Sequence, residues 1–201
     1  MTELVIASYR GDLSWLKQLP IPIEHLWIYH KGPDPLSTEW LIPSTIQSLS
    51  NVGREGHTYL HHLGEHTITR RIVFTVDTVG QDPKRLRKLH ECLLSNGTHF
   101  PVLESENITF QSGFSMKNYQ KIPQILANPR PYAKWYRRWI RNTLIYVKKH
   151  GWSYNGIFAV TPEHIHKYPP KYYRQLRDQL SVGDQVEAGH FLERSWRTMW
   201  I

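Results

Sequence analysis

The chain has 201 residues, 40% of them hydrophobic, with a net charge of +8. That is enough apolar material for one substantial core in a single domain, and no apolar run approaches the roughly 20 residues that span a bilayer. The single cysteine, Cys92, excludes a disulfide framework and a cysteine-built zinc site, and MTELVIASYR lacks the charged leader and cleavage site of a secreted chain, so a soluble, cytoplasmic protein is expected.

Glu3–Arg10 (ELVIASYR) is a short apolar run that ends in small and polar residues, as expected of a parallel strand buried on both faces. DLSWLKQL follows with Leu13, Leu16 and Leu19 on one helical face and Asp12 as a cap. HLWIYHKG, His25–Gly32, predicts a second strand, and the proline-rich GPDPLSTEWLIP an irregular connection. A turn at Asn51–Gly53 leads into a helix, RRIVFTVDT (Arg70–Thr78) is strongly β-prone, and DPKRLRKLHECLL (Asp82–Leu94) is again helical, with the Cys92 thiol buried in it.

The second half is less regular. Apolar residues recur on one face from Tyr132 to Lys149, which predicts an amphipathic helix, and SYNGIFAVT (Ser153–Thr161) predicts one more buried strand. PEHIHKY, YYRQLRDQL and VEAGHFLERSWRTMWI are expected as helices around it. Alternating strands and helices are the pattern of an open α/β sheet that binds its ligand at the carboxyl ends of its strands.

Charge narrows the ligand without choosing it. No Asp or Glu falls between Asn107 and Pro162, while Lys and Arg recur there, so an anionic partner is favoured: a nucleotide diphosphate, an acidic lipid or a nucleic acid. The aromatic and basic segment from Tyr132 could stack bases and contact phosphates, so a non-catalytic nucleic-acid-binding protein is the alternative function, although no recognisable nucleic-acid module accompanies it.

Asp77 stands at the carboxyl end of its strand, where a single carboxylate can hold a hydrated Mg²⁺ or Mn²⁺ against substrate phosphates or simply cap a turn. NVGREG offers a flexible backbone at Gly53 and Gly56 around Arg54, at a helix start that can face an anion. His57 and His61, and His62 and His66, are each four apart, but no glutamate follows the first histidine as a zinc-protease helix requires, so polar, partly buried histidines are expected.

Together, VIASYRGDLSWL, NVGREGHTYLHHL, VFTVDT, YNGIFAVTPEHI, PPKYYRQL and LERSW resemble a family of GT-A-like glycosyltransferases. That family includes a fungal domain of unknown function and the N-terminal domain of a chlorella-virus glycosyltransferase of capsid glycans. The resemblance runs from Val5 to Trp196 and implies a single GT-A-like domain over residues 1–201. It implies a Rossmann-like, mostly parallel sheet flanked by helices, with a nucleotide-sugar half over about residues 1–100 and an acceptor half over about 101–201.

What the resemblance implies for function is a metal-dependent hexosyltransferase that uses a UDP-sugar donor with Mn²⁺ or Mg²⁺. Its acceptor would be a glycan or glycoprotein such as a viral capsid protein, glycosylated in the host cytoplasm. By the same analogy Ala7, Ser8 and Tyr9 would hold the nucleoside, Arg54 the diphosphate or base, and Val76, Asp77 and Thr78 the position of the family's Asp-x-Asp metal motif. This sequence reads VDTV there, so the second aspartate is missing. An inverting transfer needs a carboxylate base, and the late helix offers Asp184, Glu187 and Glu193.

Overall fold

Residues 1–36, 42–101, 125–141 and 156–200 are described by the structure, a computed structural model. TELVIAS becomes the central strand because both of its faces are apolar: Leu4 and Ile6 enter one core, Val5 and Ala7 the other. This strand, β1 (Thr2–Ser8), pairs in parallel with β2 (His25–His30) on one side and β4 (Arg71–Val76) on the other. Beyond β2 lies a parallel edge strand, β3 (Ser44–Ser48), and beyond β4 an antiparallel one, β5 (Phe158–Val160). The sheet order is therefore β3-β2-β1-β4-β5, five strands, mostly parallel.

Helices cover both faces. Over one lie α1 (Arg54–Glu65) and α3 (Tyr132–Trp139), with α5 (Pro170–Asp178), α6 (Glu187–Glu193) and α7 (Trp196–Trp200). Their core is aromatic: Tyr59 of α1 packs on Phe74 and Phe158 of the sheet and on Trp196 of α7. The other face is closed by α2 (Pro83–Leu94), whose Leu89, Cys92 and Leu93 meet Leu4, Ile6 and Val73. Each such buried side chain contributes about 1.5–3 kcal/mol. The short α4 (Pro162–Ile165) follows β5 directly. No helix among the described residues is long and apolar enough to cross a membrane.

Several elements depart from the sequence reading. Asp12–Leu19 forms only a 3-10 turn over Ser14–Gln18, because Asp12 accepts the Ser14 N–H at 2.8 Å and Pro20 bars the helix from continuing. STIQS is a strand that its polar, mostly exposed sequence does not announce; it is an edge held by the β2 ladder. The amphipathic helix ends at Trp139, and its expected continuation over 142–149 lies outside the described residues, as do 153–155 of the expected last strand. VEAGHFLERSWRTMWI divides into α6 and α7, with the Ser195 hydroxyl between them donating to the Phe191 carbonyl at 2.8 Å. Since β5 completes the sheet that β1 begins, both halves of the chain build one layer.

Candidate functional site

From β1 the sheet grows through β2 on one side and β4 on the other, so the chain leaves the carboxyl ends of β1 and β4 in different directions and a crevice opens between them. There a cavity of about 400 Å³ is found. The end of β1 lines it with Ala7, Ser8 and Tyr9, and the end of β4 with Val76, Asp77 and Thr78. Asn51, Arg54 and Glu55 border it at the start of α1, and Arg85 at α2. Asp184, Gln185 and Glu193 enter from the C-terminal part. The structure thus brings together every sequence-derived candidate except Glu187, and adds Lys31.

Asp77 is the floor of this cavity and is only 5% exposed. Its Oδ2 accepts the backbone N–H groups of Tyr9 at 2.7 Å, Arg10 at 3.1 Å and Gly11 at 2.6 Å, and the Ser8 hydroxyl at 3.2 Å. Three successive amides aimed at one oxygen form an anion nest, filled here by the protein's own carboxylate. The cap that Asp77 provides is thus for the turn after β1, not for the turn that follows it in sequence. Trp15 Nε1 donates to the Asp77 carbonyl at 3.0 Å, and a Cβ on Gly11 would lie 2.4 Å from Asp77 Cβ, so the loop closes tightly on the aspartate.

The helix start is held in an unusual backbone. Gly53 and Arg54 both take the left-handed conformation, with φ of 58° and 50°. A non-glycine residue there stores strain, which persists only where its surroundings over-determine it. Three hydrogen bonds do so: the Gly53 N–H donates to the Gly183 carbonyl at 2.7 Å, and the Lys31 ammonium donates to the carbonyls of Val52 at 2.7 Å and Arg54 at 2.6 Å. The Arg54 side chain remains 51% exposed at the cavity, 3.8 Å from Glu55. Sequence reasoning missed Lys31; the signal was a cation placed at the carboxyl end of an apolar strand, directly before Gly32.

The three late carboxylates separate. Asp184 and Glu193 line the cavity. Glu187, expected among the candidate bases, is fully buried away from it: Oε2 accepts the Ala127 N–H at 3.0 Å and pairs with Arg130 Nε at 2.8 Å. Its place in the first turn of α6 directs it into the packing against the chain around 127–130, because the apolar neighbours Ala188, Phe191 and Leu192 claim the core.

The histidines belong to the packing of α1 on the sheet. His62 Nδ1 and His66 Nε2 lie 2.8 Å and 2.9 Å from the Tyr29 hydroxyl, and Trp27 packs on both rings. Burial, reinforced by Lys31 and Arg177, pushes His57 down to about 3, and burial lowers His62 far below the usual range. These rings are neutral in the folded protein. The unfolded chain, with histidines near 6.5, binds protons first on acidification, so their share of stability is complete above about pH 6.5 and is lost as pH falls toward the folded value. His57 alone is expected to cost about 1.6 kcal/mol between pH 6.5 and 5, the slope rising toward about 1.4 kcal/mol per pH unit as the unfolded histidine becomes protonated. Urea unfolding at both pH values checks this, and equal stabilities would contradict it.

A divalent cation fits one part of the site only. Among the described residues no three His, Cys, Asp or Glu side chains converge as a metal cage. Mg²⁺ and Mn²⁺ do not require one, since one or two carboxylates with water and substrate phosphates suffice. With Oδ2 of Asp77 engaged by four donors, Oδ1 is the atom left for such a role. No protein-family model matches the chain, and no curated protein matches it either.

Proposed function

We propose that the chain is a GT-A-like glycosyltransferase that moves a sugar from a UDP-sugar donor to a glycan or glycoprotein acceptor. The observation that carries this reading is the cavity at the carboxyl ends of β1 and β4, where the cations Lys31, Arg54 and Arg85 meet the carboxylates Asp77, Asp184 and Glu193. Cations at that place suit a diphosphate, and the 40% exposed Tyr9 offers a ring face for a base. The resemblance of NVGREGHTYL and its companion segments to a capsid-glycan glycosyltransferase family supports the donor class and makes a viral capsid glycoprotein the acceptor to try first.

In this reading the base and ribose lie against Ala7, Ser8 and Tyr9, and the diphosphate lies toward Arg54 and Lys31. Asp77 would hold Mn²⁺ or Mg²⁺, which would supply charge neutralisation for the leaving diphosphate. Glu193 or Asp184 takes the proton of the acceptor hydroxyl while its oxygen bonds to the anomeric carbon; the bond from that carbon to the phosphate oxygen breaks, and UDP leaves with the electron pair.

Release of UDP from a UDP-sugar in the presence of acceptor tests the reading. One of Glu193→Gln and Asp184→Asn is expected to lower kcat by about 10²- to 10⁴-fold while donor affinity holds. Full turnover in both variants would remove the pair from the reaction, and no turnover by the wild type with any UDP-sugar would count against the transferase.

A further inference from the structure

We infer that Lys31 is the phosphate-binding cation of the cavity, donating its remaining ammonium proton to an oxygen of the ligand's diphosphate and so tying ligand binding to the strained turn that carries Arg54. This rests on the nucleotide-sugar reading and names the group that would recognise its charge.

The geometry comes from opposite sides of the site. Lys31 follows β2, its backbone N–H donating to the Ser8 carbonyl at 2.9 Å, so it is fixed beside the nucleoside end of the cavity. The residue is 9% exposed and borders the cavity, while two of its three ammonium protons go to the Val52 and Arg54 carbonyls. An ammonium so enclosed has one donor left and little water to satisfy it. The nest after β1, the alternative anion receptor, is already filled by Asp77, so phosphate must be met elsewhere. Arg54, whose carbonyl Lys31 holds, presents its guanidinium to the same space.

Burial pulls Lys31 down to about 8, against the opposing charge of Glu55. Other groups face it or share the cavity: Arg54, His57 and His61 on α1, Arg85 on α2, Asp77 after β4, and Asp184 and Glu193 from the C-terminal part. A bound diphosphate favours the charged ammonium, so affinity is full below about pH 8 and falls as pH rises above it, while the diphosphate itself is already ionised there.

Calorimetry separates the possibilities, using UDP, uridine and inorganic pyrophosphate without metal at pH 7, then UDP up to pH 9.5. Wild-type UDP affinity is expected to fall above pH 8 by up to about tenfold per pH unit. Lys31→Gln, which keeps two donor protons for the two carbonyls, and Lys31→Met are expected to bind UDP about 10- to 100-fold more weakly with a flat pH profile. Uridine should bind all three proteins alike, and thermal melts establish that each is folded. UDP binding that is equal in wild type and Lys31→Gln, with the same pH profile, overturns the inference and leaves the nucleotide-sugar reading standing. Pyrophosphate binding lost in Lys31→Gln, with no UDP binding by the wild type, retains Lys31 as an anion receptor and removes the nucleotide. Failure of the wild type to bind either overturns the inference, and the nucleotide-sugar reading falls with it only if UDP also fails to bind in the presence of Mn²⁺.

Discussion

Asp77→Ala is expected to destabilise the protein by about 2–5 kcal/mol, because it strips one shared acceptor from three backbone amides and a hydroxyl at once. Each buried donor left unpaired costs about 1–3 kcal/mol, and the outer ones regain part of that from water. The Ser8–Gly11 turn should loosen, carrying Tyr9 out of place, so UDP binding should disappear as well. Asp77→Asn is expected to lie between, since it keeps an acceptor oxygen but gives up charge-assisted bonds about twice as strong as neutral ones. Urea titrations of the three proteins read this directly. An alanine variant as stable as the wild type would mean that the nest does not hold the loop.

Glu187→Ala should cost about 3–5 kcal/mol for a different reason. The carboxylate has no exposed surface, and its removal leaves the Arg130 guanidinium and the Ala127 amide in a protein interior without their acceptor. Arg130 is 31% exposed and can turn partly to water, which favours the lower end of that range. For a chain of this size about 3 kcal/mol corresponds to a fall of roughly 6–12 °C in Tm. UDP affinity measured below the transition should be unchanged. Unaltered stability together with lost transfer would place Glu187 in the reaction instead.

These two residues show what the sequence made legible and what it did not. The strand patterns of ELVIASYR and RRIVFTVDT, and the helix pattern after NVGREG, rest on local apolar periodicity, and the structure has strands and a helix there. β3 escaped because an edge strand with exposed, polar side chains has no such period; its ladder to β2 is a long-range fact. Asp77 could be placed at a strand end, but its partners lie 66–69 residues away in the turn after β1, and nothing local predicts that encounter. Glu187 and Glu193 occupy the two ends of α6, and which one faces the cavity depends on how that helix is rotated against α1 and the chain around Arg130. For Lys31 the local signal is only a cation at the carboxyl end of an apolar strand; its meaning comes from the two carbonyls it bridges.

The central claim is a nucleotide-sugar site at the carboxyl ends of β1 and β4, and the most direct test is calorimetric titration of the wild type with UDP and Mn²⁺, set beside single-stranded DNA and RNA across a salt series. The expected result is one-to-one UDP binding that strengthens with Mn²⁺ and is weakened by loss of Lys31 or Arg54, with little nucleic-acid affinity. Absence of UDP binding, with DNA or RNA affinity that falls steeply as salt rises, would contradict it and identify a nucleic-acid-binding protein.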